Sequence, residues 1–321
     1  KEALAPLART HVAFAIKANP NLSVLRVLAN QGFGADVVSG GEIARALAAG
    51  MRPQDVVFSG VGKSRDELER ALSDGIGQFN IELEEEGIAL SDIAAAMGKR
   101  AVATLRVNPD VDAGTHAKIS TGMKENKFGV PIDQAAGIFA RLAALPGLDM
   151  RGIALHIGSQ LFDLAPLEAA YVKIWELVSG LRSAGHSIDR VDLGGGLGVP
   201  YQRHETPPTP HDYGAMVTRV TKGWDVTLMF EPGRVIVGNA GVLLTKVIWV
   251  KPGVIRPYVI VDAAMNDLAR PALYDAWHDF EAVEPSGERF TANIAGPVCE
   301  STDTFAMARE IDLVKSGDLA I

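Results

Sequence analysis

One cysteine, Cys299, occurs in 321 residues, so no intrachain disulfide framework is available and a reducing compartment, the cytoplasm, is the expected home. Long apolar runs are missing as well. None approaches the roughly 20 residues that span a bilayer, and no membrane role is expected. There is no long basic run, and the net charge of -8 turns attention from nucleic acid and anionic surfaces towards small molecules. Aromatic residues reach only 6%, and no low-complexity tail interrupts a globular composition. No signal-peptide pattern opens the sequence. It begins on Lys1 rather than a methionine and stops on the apolar GDLAI, and trimming at both ends is the expectation.

Hydrophobic residues make up 47% and glycines number 33, which supplies core material and tight turns. Up to about residue 235, short apolar runs alternate with helical patterns. Strands are predicted at 11–17, 33–38, 55–59, 78–82, 101–107, 151–157, 190–193 and 226–230. Between them, segments such as GGEIARALAAG and SRDELERALSDG place small or aliphatic residues at i, i+3 and i+4 and end on glycine. Eight strand-helix repeats fit the ~250 residues of a (β/α)8 barrel, with a doubly wound open sheet as the rival. After residue 240 the rhythm becomes strand-like in GVLLTKVIWVK, PYVIVDA and ERFTANIAG. The division expected is a barrel over residues 1–236 and a β domain over 237–321. YQRHETPPTPHDYG reads as a proline-rich loop between strands seven and eight.

In such a barrel, chemistry gathers at the C-terminal ends of the strands. Lys17 in HVAFAIKANPN ends predicted strand one, Asp36 strand two, Ser59 strand three, His156 strand six, Gly194, Gly195 and Gly196 strand seven, and Glu231 strand eight. Each has an ordinary explanation when taken singly: a snorkelling stem, a hydrogen-bonded core histidine, a tight turn, a helix-end charge. Together they share one mouth. Glycine-rich DLGGGLG and EPGR fall at the loops after strands seven and eight, where backbone N–H groups of barrels often bind phosphate. A phosphate site, an amine, a flat ring and a carboxylate are the four requirements of pyridoxal phosphate. A partly desolvated Lys17 would supply the neutral amine.

FAIKANPN, LHIGSQ, DLGGGLG, EPGR and GPVCES, in this order over nearly the whole chain, resemble the fold-type III pyridoxal-phosphate-dependent decarboxylases, and most closely their diaminopimelate decarboxylase branch. The resemblance implies a (β/α)8 barrel of the alanine-racemase type with a C-terminal β domain. It implies that Lys17 is the Schiff-base lysine, that His156 stacks on the ring with Ser159 on the phosphate side, and that Gly195, Gly196, Gly233 and Arg234 hold the phosphate. Asp36 belongs with this cofactor set. Glu231 matches the carboxylate that keeps the pyridine nitrogen protonated, where racemase relatives carry arginine. Cys299 matches the acid that returns a proton to Cα.

The same resemblance assigns Arg234, Arg270, Tyr274 and Glu300 to the substrate's distal end. Two guanidinium forks suit a carboxylate, and Glu300 suits the ammonium beside it. Ornithine decarboxylases carry aspartate after the corresponding cysteine. The implied reaction is decarboxylation of meso-2,6-diaminopimelate to L-lysine and CO2, with a homodimer that shares its active sites and no metal. A decarboxylase of ornithine or arginine, an inactive regulatory homologue and a sugar-phosphate barrel are the alternatives. Family members also carry a further N-terminal strand and a C-terminal tyrosine segment, neither of which this sequence contains.

Overall fold

Period-two alternation in the barrel strands sorts side chains between two faces, and the structure, a computed structural model that describes residues 1–112 and 126–321, shows where each face goes. The strands are β1 (Thr10–Ala15), β2 (Gly34–Val37), β3 (Val56–Phe58), β4 (Gln78–Ile81), β5 (Ala101–Asn108), the two-residue β6 (Val130–Pro131), β7 (Leu148–Ala154), β8 (Arg190–Asp192) and β9 (Thr227–Phe230). Eight of them run parallel in the order β4-β3-β2-β1-β9-β8-β7-β5, and a β4–β5 pairing closes the ring. The closed barrel replaces the open-sheet rival. All eight predicted strands are present, most of them shorter at one end than predicted.

Phe14, Val37, Phe58, Phe79, Ile81 and Leu105 join one large buried cluster with helix residues such as Leu25, Ile43, Leu68 and Leu90. That is the outward face. Each such side chain contributes about 1.5–3 kcal/mol on burial. The opposite positions differ: Ala13, Val57 and Met229 form a separate small apolar cluster, while Asp36, Gln78, Asn80, Thr104 and Asp192 are buried polar residues. Hydrogen bonds between β4 and β8, Gln78 to Asp192 among them, place this polar layer inside the ring.

Local chemistry starts and stops the helices. The predicted SRDELERALSDG helix runs Arg65–Asp74, opens on a Ser64/Glu67 capping box and ends at Gly75 with φ 75°. A second capping box, Thr209 with Asp212, starts the helix Pro210–Val220 inside the stretch read as a proline-rich loop. Proline is at home there, because the first helical N–H needs no partner. No helix among the described residues is long and apolar enough to cross a membrane.

The chain separates into two compact units, residues 1–199 with 207–238, and residues 200–206 with 239–321. The second carries β10 (Thr245–Lys251), β11 (Tyr258–Val261), β12 (Arg289–Ala295), β13 (Thr304–Asp312) and β14 (Leu319–Ala320) in the order β13-β12-β11-β10-β14. Its core is Val247, Val259, Val261, Ala292, Ile294 and Ile311. β13, which the sequence reading did not predict, pairs antiparallel with β12.

Candidate active site

β1 stops at Ala15, and Lys17 lies beyond it in a 3-10 turn, Ile16–Ala18, closed by the Asn19 N–H on the Ile16 carbonyl at 3.0 Å. The expected strand-end lysine is therefore a turn lysine. Ile16 stays fully buried while the Lys17 side chain is 60% exposed. Its Nζ lies 3.7 Å from Oδ2 of Asp36, which β2 holds almost wholly buried. The other Asp36 oxygen, Oδ1, is buried with no hydrogen-bond partner. Such an orphan costs about 1–3 kcal/mol, and a donor arriving in the site relieves it.

Glu231 follows β9. Its Oε1 accepts hydrogen bonds from Asn80 Nδ2 at 3.1 Å and Ser59 Oγ at 3.3 Å. Burial, with the charges of Asp192 and Asp36 beside it, holds the Glu231 carboxyl well above the usual carboxylate range, and Lys17 offsets only part of this. Its surroundings therefore favour the proton-bearing form.

His156 lies two residues past β7, and its Nδ1 accepts the Gly195 N–H at 3.3 Å. Burial first, then the positive charges of Arg106 and Lys17, push the imidazole well below its ordinary value and keep it neutral. The loops around it meet too closely for side chains. A Cβ on Gly195 would sit 2.3 Å from the Glu231 carbonyl oxygen, and one on Gly196, at φ 119°, 2.5 Å from that of Gly158, the neighbour of Ser159. Gln160 pins the same loops, donating to the Val199 carbonyl at 2.5 Å and accepting its N–H at 3.2 Å. Gly233 lies against the lysine turn, its missing Cβ 3.1 Å from the Cβ atoms of Ala15 and Ala18, and Arg234 opens the short helix Arg234–Val237.

Lys17, Asp36, His156, Ser159, Gly195, Gly196, Glu231, Gly233 and Arg234 all belong to the first unit. Cys299, Glu300, Arg270 and Tyr274 belong to the second. Cys299 and Glu300 are exposed on a tight turn, with the Glu300 N–H on the Val298 carbonyl at 2.8 Å. Asp303 secures that turn: its carboxylate accepts the N–H of Val298 at 2.8 Å and of Met265 at 2.7 Å. Arg270 begins the helix Arg270–Tyr274, lies over the Tyr201 ring at 4.6 Å and meets His278 Nε2 at 3.2 Å. Asn80, Asp192, Gln160 and Asp303 were not among the predicted site residues. The first two had a visible signal, since Gln78, Asn80 and Asp192 are polar side chains alternating with apolar ones in short buried strands.

Residues 1–238 match the family model described as pyridoxal-dependent decarboxylase, pyridoxal binding domain. The diaminopimelate decarboxylase of Zymomonas mobilis subsp. mobilis is 53% identical over 309 residues, covering 96% of this chain and 73% of that protein. That of Pseudomonas aeruginosa is 51% identical over 313 residues, covering 97% of the chain and 75% of its own length. The chain belongs to the diaminopimelate decarboxylase family. Among solved structures, the Helicobacter pylori diaminopimelate decarboxylase complexed with L-lysine aligns with a TM-score of 0.95 at 42% identity, covering 100% of this chain and 80% of that one.

The cofactor of this family, pyridoxal phosphate, fits the residues present. It needs an accessible amine, which Lys17 offers, and a phosphate cradle without side chains, which Gly195 and Gly196 provide. The unpartnered oxygen of Asp36 and the acid at Glu231 are groups that a polar aromatic ring can satisfy.

Proposed function

We propose that the chain decarboxylates meso-2,6-diaminopimelate, releasing CO2 and L-lysine. The observation that carries this is the meeting, at one barrel mouth, of an exposed lysine with a buried histidine and a buried glutamate. Bound pyridoxal phosphate supplies the sink for the electrons of the breaking Cα–carboxylate bond. Lys17 would hold the cofactor by its aldehyde. The neutral imidazole of His156, its Nδ1 already occupied by the Gly195 N–H, would offer a face to the ring. Glu231 would keep the ring nitrogen protonated, and Gly195, Gly196, Ser159, Gly233 and Arg234 would hold the phosphate.

Cys299 gives a proton to Cα once CO2 has left, forming the new C–H bond. Arg234, Arg270 and Tyr274 hold the distal carboxylate and Glu300 the distal ammonium. The exposure of Cys299 and Glu300 suits donation to a second copy's site, and so a homodimer. A single cysteine suits a cytoplasmic setting.

Purified protein reconstituted with pyridoxal phosphate should show a visible absorption band that Lys17→Ala abolishes. CO2 release should be measured from diaminopimelate, lysine, ornithine and arginine in parallel. A site built to pair a group rejects analogues lacking it by ~10⁴. Equal rates on ornithine would move the assignment to another basic amino acid.

A further inference from the structure

Five side chains inside the barrel converge on one amide. Asn80, 2% exposed on β4, places Nδ2 3.1 Å from Glu231 Oε1, 3.0 Å from Ser59 Oγ and 3.4 Å from Asp192 Oδ2. Its Oδ1 accepts from Thr104 Oγ1 at 2.6 Å and from Gln78 Nε2 at 2.8 Å. Turning the amide over would set its oxygen against two carboxyl groups and its NH2 against another NH2, so the network admits one orientation.

Asp192 is fully buried and surrounded by donors: the Gly194 N–H at 3.0 Å, Asn80, and Gln78 Nε2 at 3.5 Å. These N–H groups favour its charged form, but burial outweighs them and holds the Asp192 carboxyl above its ordinary value. Glu231, raised by the same burial and by Asp192 beside it, forms with it a buried carboxyl pair that favours holding one proton. The other charges that bear on Glu231 are Asp36, which opposes ionisation, and Lys17, which favours it.

We propose that Asn80, locked by Thr104 and Gln78, and Asp192 are positioning residues that keep Glu231 loaded with the one proton a pyridine-type nitrogen accepts. Were that proton passed from the Glu231 oxygen to such a nitrogen, the Asn80 N–H and the Ser59 O–H would receive the resulting carboxylate. This rests on the reading of Glu231 as partner of the cofactor's ring nitrogen.

Infrared spectra of the cofactor-free protein at neutral pH test the pair without any turnover. Wild type is expected to show the carbonyl stretch of a protonated carboxyl that Glu231→Gln removes, and the absence of such a band overturns the proposal. In the holoenzyme, Thr104→Val keeps the side chain's shape and deletes the O–H that locks Asn80. It is expected to lower kcat about tenfold at unchanged KM and to shift the pH profile of the visible band, both restored in Thr104→Ser. Wild-type kcat and pH profile in Thr104→Val, whether or not its Tm falls, would overturn it too. A protein with the infrared band that binds no pyridoxal phosphate sinks the decarboxylase reading instead and leaves the carboxyl pair standing.

Discussion

Glu231 shows how far a single residue can be read before the fold is known. Its place in EPGR marks it as a carboxyl at the mouth, but its protonation depends on Asp192 and Asp36, which are 39 and 195 positions away in sequence and reach it only when the barrel closes. Charge at a buried site is a property of the neighbourhood, and sequence spacing does not encode it. The consequence for stability has a definite sign. Folded Glu231 holds its proton to higher pH than the unfolded chain does, so between the two values unfolding releases a proton and rising pH weakens the wild type. Glu231→Gln, neutral at every pH, escapes this. In thermal melts of the cofactor-free proteins, its Tm relative to wild type should therefore climb as the pH is raised from about 5 to about 8. A difference flat across that range would place the carboxyl at its ordinary value.

At the scale of elements, the barrel was legible because each of its strands carries its own record: apolar side chains turn outward to helices at every second position, as Phe79 and Ile81 do on β4. Loop contacts leave less trace. DLGGGLG announces a turn, yet only the structure shows that Gly195 is pressed against the backbone of Glu231, with 2.3 Å available where a Cβ would go. That contact is to a carbonyl oxygen, which cannot step aside as a flexible side chain could. Gly195→Ala should cost roughly 2–4 kcal/mol in denaturant unfolding and weaken pyridoxal phosphate binding with it. β13 was the opposite case, an element the sequence hid. TFAMAREID mixes helix-forming residues, and Ala308 in its middle takes φ 50°, breaking the alternation where its N–H meets the Asn293 side chain at 2.9 Å. A left-handed non-glycine residue costs about 1 kcal/mol, so Ala308→Gly should raise the urea midpoint by an amount equivalent to roughly 0.5–1 kcal/mol. An unchanged midpoint would show that the bulge carries no strain.

For the molecule as a whole, the cofactor residues belong to the barrel unit, whereas Cys299, Glu300, Arg270 and Tyr274 belong to the β unit. The pairing of two copies depends on surfaces, which strand and helix periodicity does not encode. The exposure of the Cys299 turn, secured from behind by the buried Asp303, gives it a fixed shape to offer a partner. If two copies complete each other's sites, Lys17→Ala and Cys299→Ala should each be inactive or nearly so when pure. Mixed after mild dissociation and reassociation, they form hybrids in which one site draws both lesions and the other draws none. Random pairing makes half the dimers hybrids with one intact site in two, so the mixture should recover about a quarter of wild-type activity. Recovery that follows hybrid formation by size and by CO2 release would establish the shared site, and a mixture no more active than its parts would place Cys299 and Lys17 within one subunit.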